Sequence, residues 1–257
     1  RKVVIPDPGY EFMEVDLAQA ESRITAYLAD DQTYINAHET GNTHVLCARV
    51  FWPELKIPAD DVSAKTFLKA LPVPWVVQSS PDEPAKSYYD VCKNRQHGFN
   101  YGRTARSVAI LEGIKVAEGQ RCLDTHFGRF SGIPRWHETE KEMLRTSGVQ
   151  VNPLGFTRQF YGPAKDPHTV KEALANSPQS ACSQIACIGM WRVWDELDDN
   201  VNFMLLQHNY DSFVAQVKVG LRDHYEPLVR ELMKVPVRIG NRTMTIPSEI
   251  VWKERWS

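Results

Sequence analysis

The sequence predicts an α+β fold in which an antiparallel sheet with packed helices is interrupted by a long, mostly helical segment. Three observations carry that prediction. Apolar strand patterns lie near both ends of the chain, at Tyr10 to Val15 and in the pair Val201 to Gln207 and Ser212 to Val219. Helical apolar spacing dominates residues 85 to 146 between them. A longer helical stretch then runs from Asp166 to Trp194.

Taken in order, Tyr10 to Val15 reads as a strand that delivers Asp16 at its exit, and Gln19 to Leu28 as a helix with Ile24, Tyr27 and Leu28 on its apolar side. Asn42-Thr43 caps a helix through Val45, Leu46, Val50 and Phe51. Pro53, Pro58, Pro72, Pro74, Pro81 and Pro84 then break the pattern, so residues 52 to 84 are expected to be irregular except for a short helix near Ala64 to Leu71. Further helices are expected at Ala85 to Asn100, Thr104 to Leu111, Val116 to Phe127 and Pro134 to Thr146, the last opened by a proline in its first turn. Strands at Val149 to Val151 and Phe156 to Phe160 bracket a Pro153-Leu154-Gly155 turn, and Pro178 crosses the helix that starts at Asp166. The final two strands form a hairpin with His208-Asn209-Tyr210-Asp211 at its turn.

Composition excludes several classes. With 257 residues, 42% hydrophobic and 24% charged, the chain can bury a substantial core, and it has no repeat or low-complexity tract. A formal charge of -2 gives no global attraction to nucleic acid, so any such surface must gather basic residues on one face. The five cysteines, Cys47, Cys92, Cys122, Cys182 and Cys187, form no CxxC pair and have no histidine at zinc-ligand spacing. Reduced thiols in a cytoplasmic setting are expected. There is no secretory leader and no apolar run long enough to span a bilayer, so no membrane partner is expected.

Three short segments carry chemistry. Asp16 and Asp211 each stand at the water-facing end of an apolar strand, where a carboxylate is costly unless it faces a cation. Magnesium takes oxygen ligands and prefers one or two carboxylates plus phosphate oxygens, so these two acids, aided by the Leu17 carbonyl, suffice to hold it. Lys93, His97 and Tyr101 are four residues apart and share a helix face, with Gly98 leaving room for a flat group and Gly102 ending the helix. A cation, an imidazole and a phenol along one groove suit a triphosphate at one end and a base at the other. Taken alone, that segment reads more readily as a solvated lysine and a core aromatic, and a strand-end aspartate as a turn residue.

In combination, these residues resemble the family A DNA polymerases, over nearly the whole chain. Asp16, Gln19, Glu21 and Arg23 match the family's first motif; Lys93, His97, Gly98, Tyr101 and Gly102 its second; and Leu205-Leu206-Gln207-His208-Asn209-Tyr210-Asp211-Ser212 its third. Asn176 to Ala181, with Gln179, is similar to the family's template-facing helix, and Thr43-His44 and Phe156 to Tyr161, with Arg158, also fall where relatives have similar residues. The resemblance implies a palm from residues 1–30 and 150–257 and a helical fingers subdomain from 31–149, with thumb and exonuclease absent from this chain and supplied by an upstream segment or a separate chain.

It further implies template-directed DNA synthesis on primer-template DNA with deoxynucleoside triphosphates. Asp16, Leu17 and Asp211 would hold two magnesium ions, with manganese as a substitute, and Lys93 would neutralise the triphosphate. Gln19, Glu21, His97 and Tyr101 would complete the nucleotide site, Glu21 by closing the space beside the sugar 2′ carbon. Arg158, Gln179 and Tyr210 would contact DNA. The expected compartment is the cytoplasm of a bacterial or phage-infected cell. This chain departs from the family pattern in having Tyr89 where relatives carry arginine, His97 at an aromatic position, and Tyr210 and Ser212 where relatives have histidine and glutamate. Those departures keep open a catalytically reduced nucleic-acid-binding module, and Asp211-Ser212-Phe213 a ribonucleotide polymerase.

Overall fold

The computed structural model describes residues 4–76 and 85–255. Pro81 and Pro84 therefore lie outside the described residues. The rest falls into two compact units, one within Arg1–Ile24, Gln150–Arg158 and Asn176–Ser257 and the other within Thr25–Val149 and Gln159–Ala175. The expected α+β architecture is present.

The first unit is built on a four-stranded antiparallel sheet in the order β4-β5-β1-β8, from β1 (Tyr10–Leu17), β4 (Phe203–Asn209), β5 (Ser212–Lys218) and β8 (Ser248–Lys253). β1 and β5 are the central strands, and β5 is buried from Ser212 to Val217 because both faces of the sheet are covered. The helix α9 (Pro167–Leu197) contributes buried Cys182, Ile185, Ala186 and Val193, at positions i, i+3, i+4 and i+11, which share a face. Gly189 continues that stripe, and a Cβ there would lie 2.6 Å from the Met233 sulfur, so a larger residue would have to push that side chain aside. α10 (Arg222–Leu232) buries Tyr225 and Val229, with the Tyr225 ring 5.1 Å from that of Phe203. Its Glu226 accepts from Trp252 Nε1 of β8 at 2.8 Å, and Arg222 pairs with Glu11 of β1.

Differences from expectation have local causes. Asp16 lies within β1, one residue before its end, because β8 pairs along the whole edge to Leu17 and Ser248. Neither β8 nor α10 was anticipated, and the small hairpin of β6 (Val237–Ile239) and β7 (Arg242–Met244) also lacks a strong pattern. β4 carries a bulge between Leu205 and Gln207, and Asp198 accepts from the Leu205 amide at 2.9 Å. The ribbon of β2 (Val149–Val151) and β3 (Thr157–Gln159) forms around the expected turn, which Asn152 closes by accepting from the Leu154 and Phe156 amides.

The helical unit contains α2 (Gln32–Thr40), α3 (Thr43–Phe51), α4 (Asp61–Ala70), α5 (Tyr88–Asn100), α6 (Ala105–Glu112), α7 (Val116–Arg129) and α8 (Gly132–Thr146). α1 (Ala20–Leu28) has its first residues assigned to the first unit and its last to the second. Side-chain caps fix most starts: Asp31, Asn42, Asp60 and Thr104 each accept from a first-turn amide, and Ser87 with Asp90 forms a capping box, which is why α5 starts at Tyr88. α2 was not anticipated, since its segment holds few apolar residues. The core is aromatic, with Tyr34 stacked on Phe130 at 4.3 Å and His126 enclosed by Phe99, Phe127 and Phe130. His137 donates from Nε2 to the Asn100 carbonyl at 2.8 Å, and burial holds its pKa down at about 4.

Among the described residues Arg95 is the largest fully buried side chain. Its guanidinium makes a forked contact with Glu112 at 2.6–3.0 Å, reaches Cys122 at 3.1 Å and lies over the Phe51 ring at 5.6 Å, joining α3, α5, α6 and α7. Burial opposes its charge, and Glu112 more than offsets that, so its pKa is raised. We expect Glu112→Ala to destabilise the unit by about 3–5 kcal/mol, because it strands a buried cation. Replacing both partners, Arg95→Met with Glu112→Leu, is expected to recover most of the loss in chemical denaturation. A single-variant loss of less than about 1 kcal/mol, within the range of exposed pairs, would refute this role.

Candidate active site

Strand register places the two aspartates side by side. β1 and β5 pair antiparallel with Asp16 opposite Ser212, and the Leu17 amide donates to the Asp211 carbonyl at 3.2 Å. Asp16 is exposed between buried Val15 and Leu17, as strand alternation requires, and Asp211 sits half-buried in the two-residue turn that joins β4 to β5. The Ser212 hydroxyl donates to the Asn209 carbonyl at 3.1 Å and closes the turn.

The turn is strained. Tyr210 has φ +60°, a left-handed conformation that a bulky side chain seldom adopts. Its phenol donates to Glu21 Oε1 at 3.2 Å, linking the hairpin to the second residue of α1. Burial and then the Glu21 carboxylate push the phenol pKa well up, so Tyr210 remains a donor at any ordinary pH. Gln19, also left-handed at φ +51°, makes the bend from β1 into α1, and its carbonyl accepts from Ser22 and Arg23.

Cys182 of α9 registers the resulting field. Its thiol pKa is pushed far up, first by burial and then by Asp211, Glu21 and Asp16, so the thiol stays protonated and these three carboxylates share one region. The donors offered there are hard oxygen atoms on neighbouring strands, which fits magnesium or manganese. Among the described residues no group of three or more His, Cys, Asp or Glu could hold a metal ion. The aspartate pair would therefore need water or phosphate oxygens to complete a coordination shell.

Arg158 and Gln179 lie in the same unit. Arg158 donates to Asn176 at 3.3 Å, Asn176 donates to Gln150 at 2.6 Å, and Asn152 donates to Ser180 and Gln184 at 2.9 and 2.6 Å. This row of amides fastens the β2–β3 ribbon to one stripe of α9, and half-buried Gln179 sits one turn before Cys182. Gln150, Asn152 and Gln184 escaped notice in the sequence, although the spacing of Asn176, Ser180 and Gln184 by four residues was a signal.

Lys93, His97 and Tyr101 belong to the helical unit, on α5 and its C-cap. Lys93 is exposed, the His97 and Tyr101 rings stand 6.0 Å apart, and Gly102 ends the helix at φ +74°. The space expected beside Gly98 is occupied: a Cβ there would collide with the Arg103 side chain. His44 is a core residue, hydrogen-bonded to Gln96 and held neutral, chiefly by burial, with a pKa of about 3. Among the described residues no helix is long and apolar enough to cross a membrane.

A sequence model of DNA polymerase family A matches residues 1–254. DNA polymerase I of Mycobacterium bovis is 26% identical over 258 residues, covering 96% of this chain and 25% of that protein. DNA polymerase I of Mycobacterium leprae is 27% identical over 237 residues, covering 88% and 23%. The chain thus spans about a quarter of the length of these curated relatives. Among solved structures, the POL domain of Pol1 from M. smegmatis, in complex with DNA primer-template and dNTP, matches with a TM-score of 0.76 at 22% identity over 98% of this chain and 41% of that chain. A likeness at that identity speaks for the fold alone.

If the phenol–carboxylate contact helps to hold the turn, Tyr210→Phe should lower stability by about 1 kcal/mol, the usual net worth of one hydrogen bond. The check is a denaturation midpoint at neutral pH, and an unchanged midpoint would remove the contact from the account.

Proposed function

The chain belongs to DNA polymerase family A, and from that membership we propose that it extends a primer 3′ end with deoxynucleotides under the direction of a template strand, by two-metal-ion nucleotidyl transfer. The reading takes the sheet-bearing unit as palm and the helical unit as fingers. It is carried by one observation, the placement of Asp16 beside the Asp211 turn on the two central strands.

In this reading Asp16 and Asp211 hold magnesium, helped by the Leu17 carbonyl. Bound there, two such ions would lower the pKa of the primer 3′ hydroxyl and offset charge on the triphosphate. Lys93 would neutralise the triphosphate, and His97 and Tyr101 would lie against the incoming base and the template base. Gln19 would help to line the nucleotide site. Glu21, whose carboxylate accepts from Tyr210, would occupy the space beside the sugar 2′ carbon and so exclude ribonucleotides by a clash. Arg158, Gln179 and Tyr210 would touch template or primer and fix register without reading sequence.

A second reading, a nucleic-acid-binding module with reduced catalysis, draws support from Ser212, which turns its hydroxyl back onto the Asn209 carbonyl. Primer extension with magnesium and four deoxynucleotides separates the two, and robust extension is expected. Asp16→Asn should reduce the extension rate on the order of 10³-fold while leaving primer-template affinity nearly intact. Equal loss of both would assign Asp16 a structural part instead. Glu21→Ala should raise ribonucleotide relative to deoxynucleotide incorporation about tenfold or more, and an unchanged ratio would contradict the gate.

A further inference from the structure

Position 89, where the family resemblance leads one to expect an arginine, holds a buried tyrosine, yet positive charge still collects around it. Lys65 and Lys69, one turn apart on α4, place their ammonium groups 5.9 and 5.4 Å from the centre of the Tyr89 ring. Tyr89 precedes Lys93 by four residues on α5, so ring and ammonium share one helix face with His97. The ring is fixed: its hydroxyl accepts from Asn42 Nδ2 at 3.4 Å, and it meets the His44 ring perpendicularly at 5.5 Å.

The charges nearby are not neutralised from within. Lys65, Lys69 and Lys93 make no ion pair among the described residues, whereas Lys141, Lys234 and Lys253 each have a carboxylate partner. Nearby acids are committed elsewhere, Asp61 to Arg49 and the Asn42 amide, and Asp90 to the Ser87 cap. Buried His44 feels Lys93 of α5 and Lys65 of α4 among its repulsive neighbours, so positive charge from both helices reaches the ring that packs against Tyr89. Like charges gathered on a rigid aromatic platform are stabilised by a polyanion, and lysine, a compact charge on a flexible stem, adapts to terminal phosphates.

We propose that Lys65 and Lys69 of α4 join Lys93 in binding the triphosphate of the incoming nucleotide, with the Tyr89 ring as their platform. The inference rests on the polymerase reading of Lys93 and supplies from α4 the cation that position 89 lacks.

The test is the double variant Lys65→Ala/Lys69→Ala in the full-length protein, with Lys65→Arg/Lys69→Arg as its charge-preserving control. We expect KM for deoxynucleoside triphosphate to rise on the order of tenfold in the alanine variant, as loss of two partly exposed ionic contacts predicts. The value of kcat, the melting temperature and primer-template affinity should stay close to wild type, and the arginine variant should restore KM. An unchanged KM in an active protein overturns the inference and leaves the polymerase reading standing, whereas parallel loss of primer-template affinity would overturn it by assigning the lysines to strand phosphates. Calorimetric titration with inorganic tripolyphosphate needs no catalysis: weaker binding by the alanine variant supports the site even if extension fails, and equal binding overturns it.

Discussion

Everything proposed for the sheet-bearing unit depends on the register between β1 and β5. Antiparallel pairing with Asp16 opposite Ser212 sets the Asp211 carbonyl against the Leu17 amide, and both aspartates follow. A slip by one residue would turn Asp16 inward and Val15 outward, exchanging a carboxylate for an isopropyl group at the surface and burying an unpaired charge. The register is therefore protected by the burial of Phe12, Met13, Val15 and Leu17 as much as by backbone hydrogen bonds. Core packing and the position of the acids are one constraint.

The helical unit is held differently. Its α5 presents Lys93 and His97 outward while its other faces are tied down by the Arg95–Glu112 fork, the Ser87–Asp90 capping box and the Gln96 contacts with His44 and Tyr34. A polar residue buried at nearly every turn makes this helix costly to shift, since each displacement would leave a donor or a charge unsatisfied. Such a scaffold suits side chains that must meet a charged ligand in a fixed geometry.

How much of this was legible in the sequence differs by element. Helices with caps and a clear apolar stripe, such as α3 and α6, were placed to within a residue or two, because cap chemistry and periodicity point the same way, and α7 was placed as closely by its periodicity alone. The acid-bearing strands were legible because their apolar runs are bounded by polar turn residues. β8 was not, since Ser248–Lys253 only half-alternates and its partner is more than two hundred residues away. α2 was missed because its segment is largely polar and borrows stability from tertiary contacts, and α10 because Pro227 interrupts its apolar stripe. The two aspartates and the Lys93 stripe were singled out by residue type and spacing, each within its own unit. The Tyr210–Glu21 contact and the lysines over Tyr89 were not, since no local pattern reports on side chains brought together by a fold.

The neutral imidazoles buried in the helical unit set a limit on its tolerance of acid. In an unfolded chain His44 and His137 would take up protons near pH 6.5, but in the folded protein their affinities fall to about 3 and about 4, chiefly through burial. Proton uptake on acidification therefore favours the unfolded chain. The stabilisation from these groups is complete above about pH 6.5 and drains away as pH falls toward their folded-state values. Storage or purification under acid conditions would soften this unit through its interior, with no loss of any surface charge pair required.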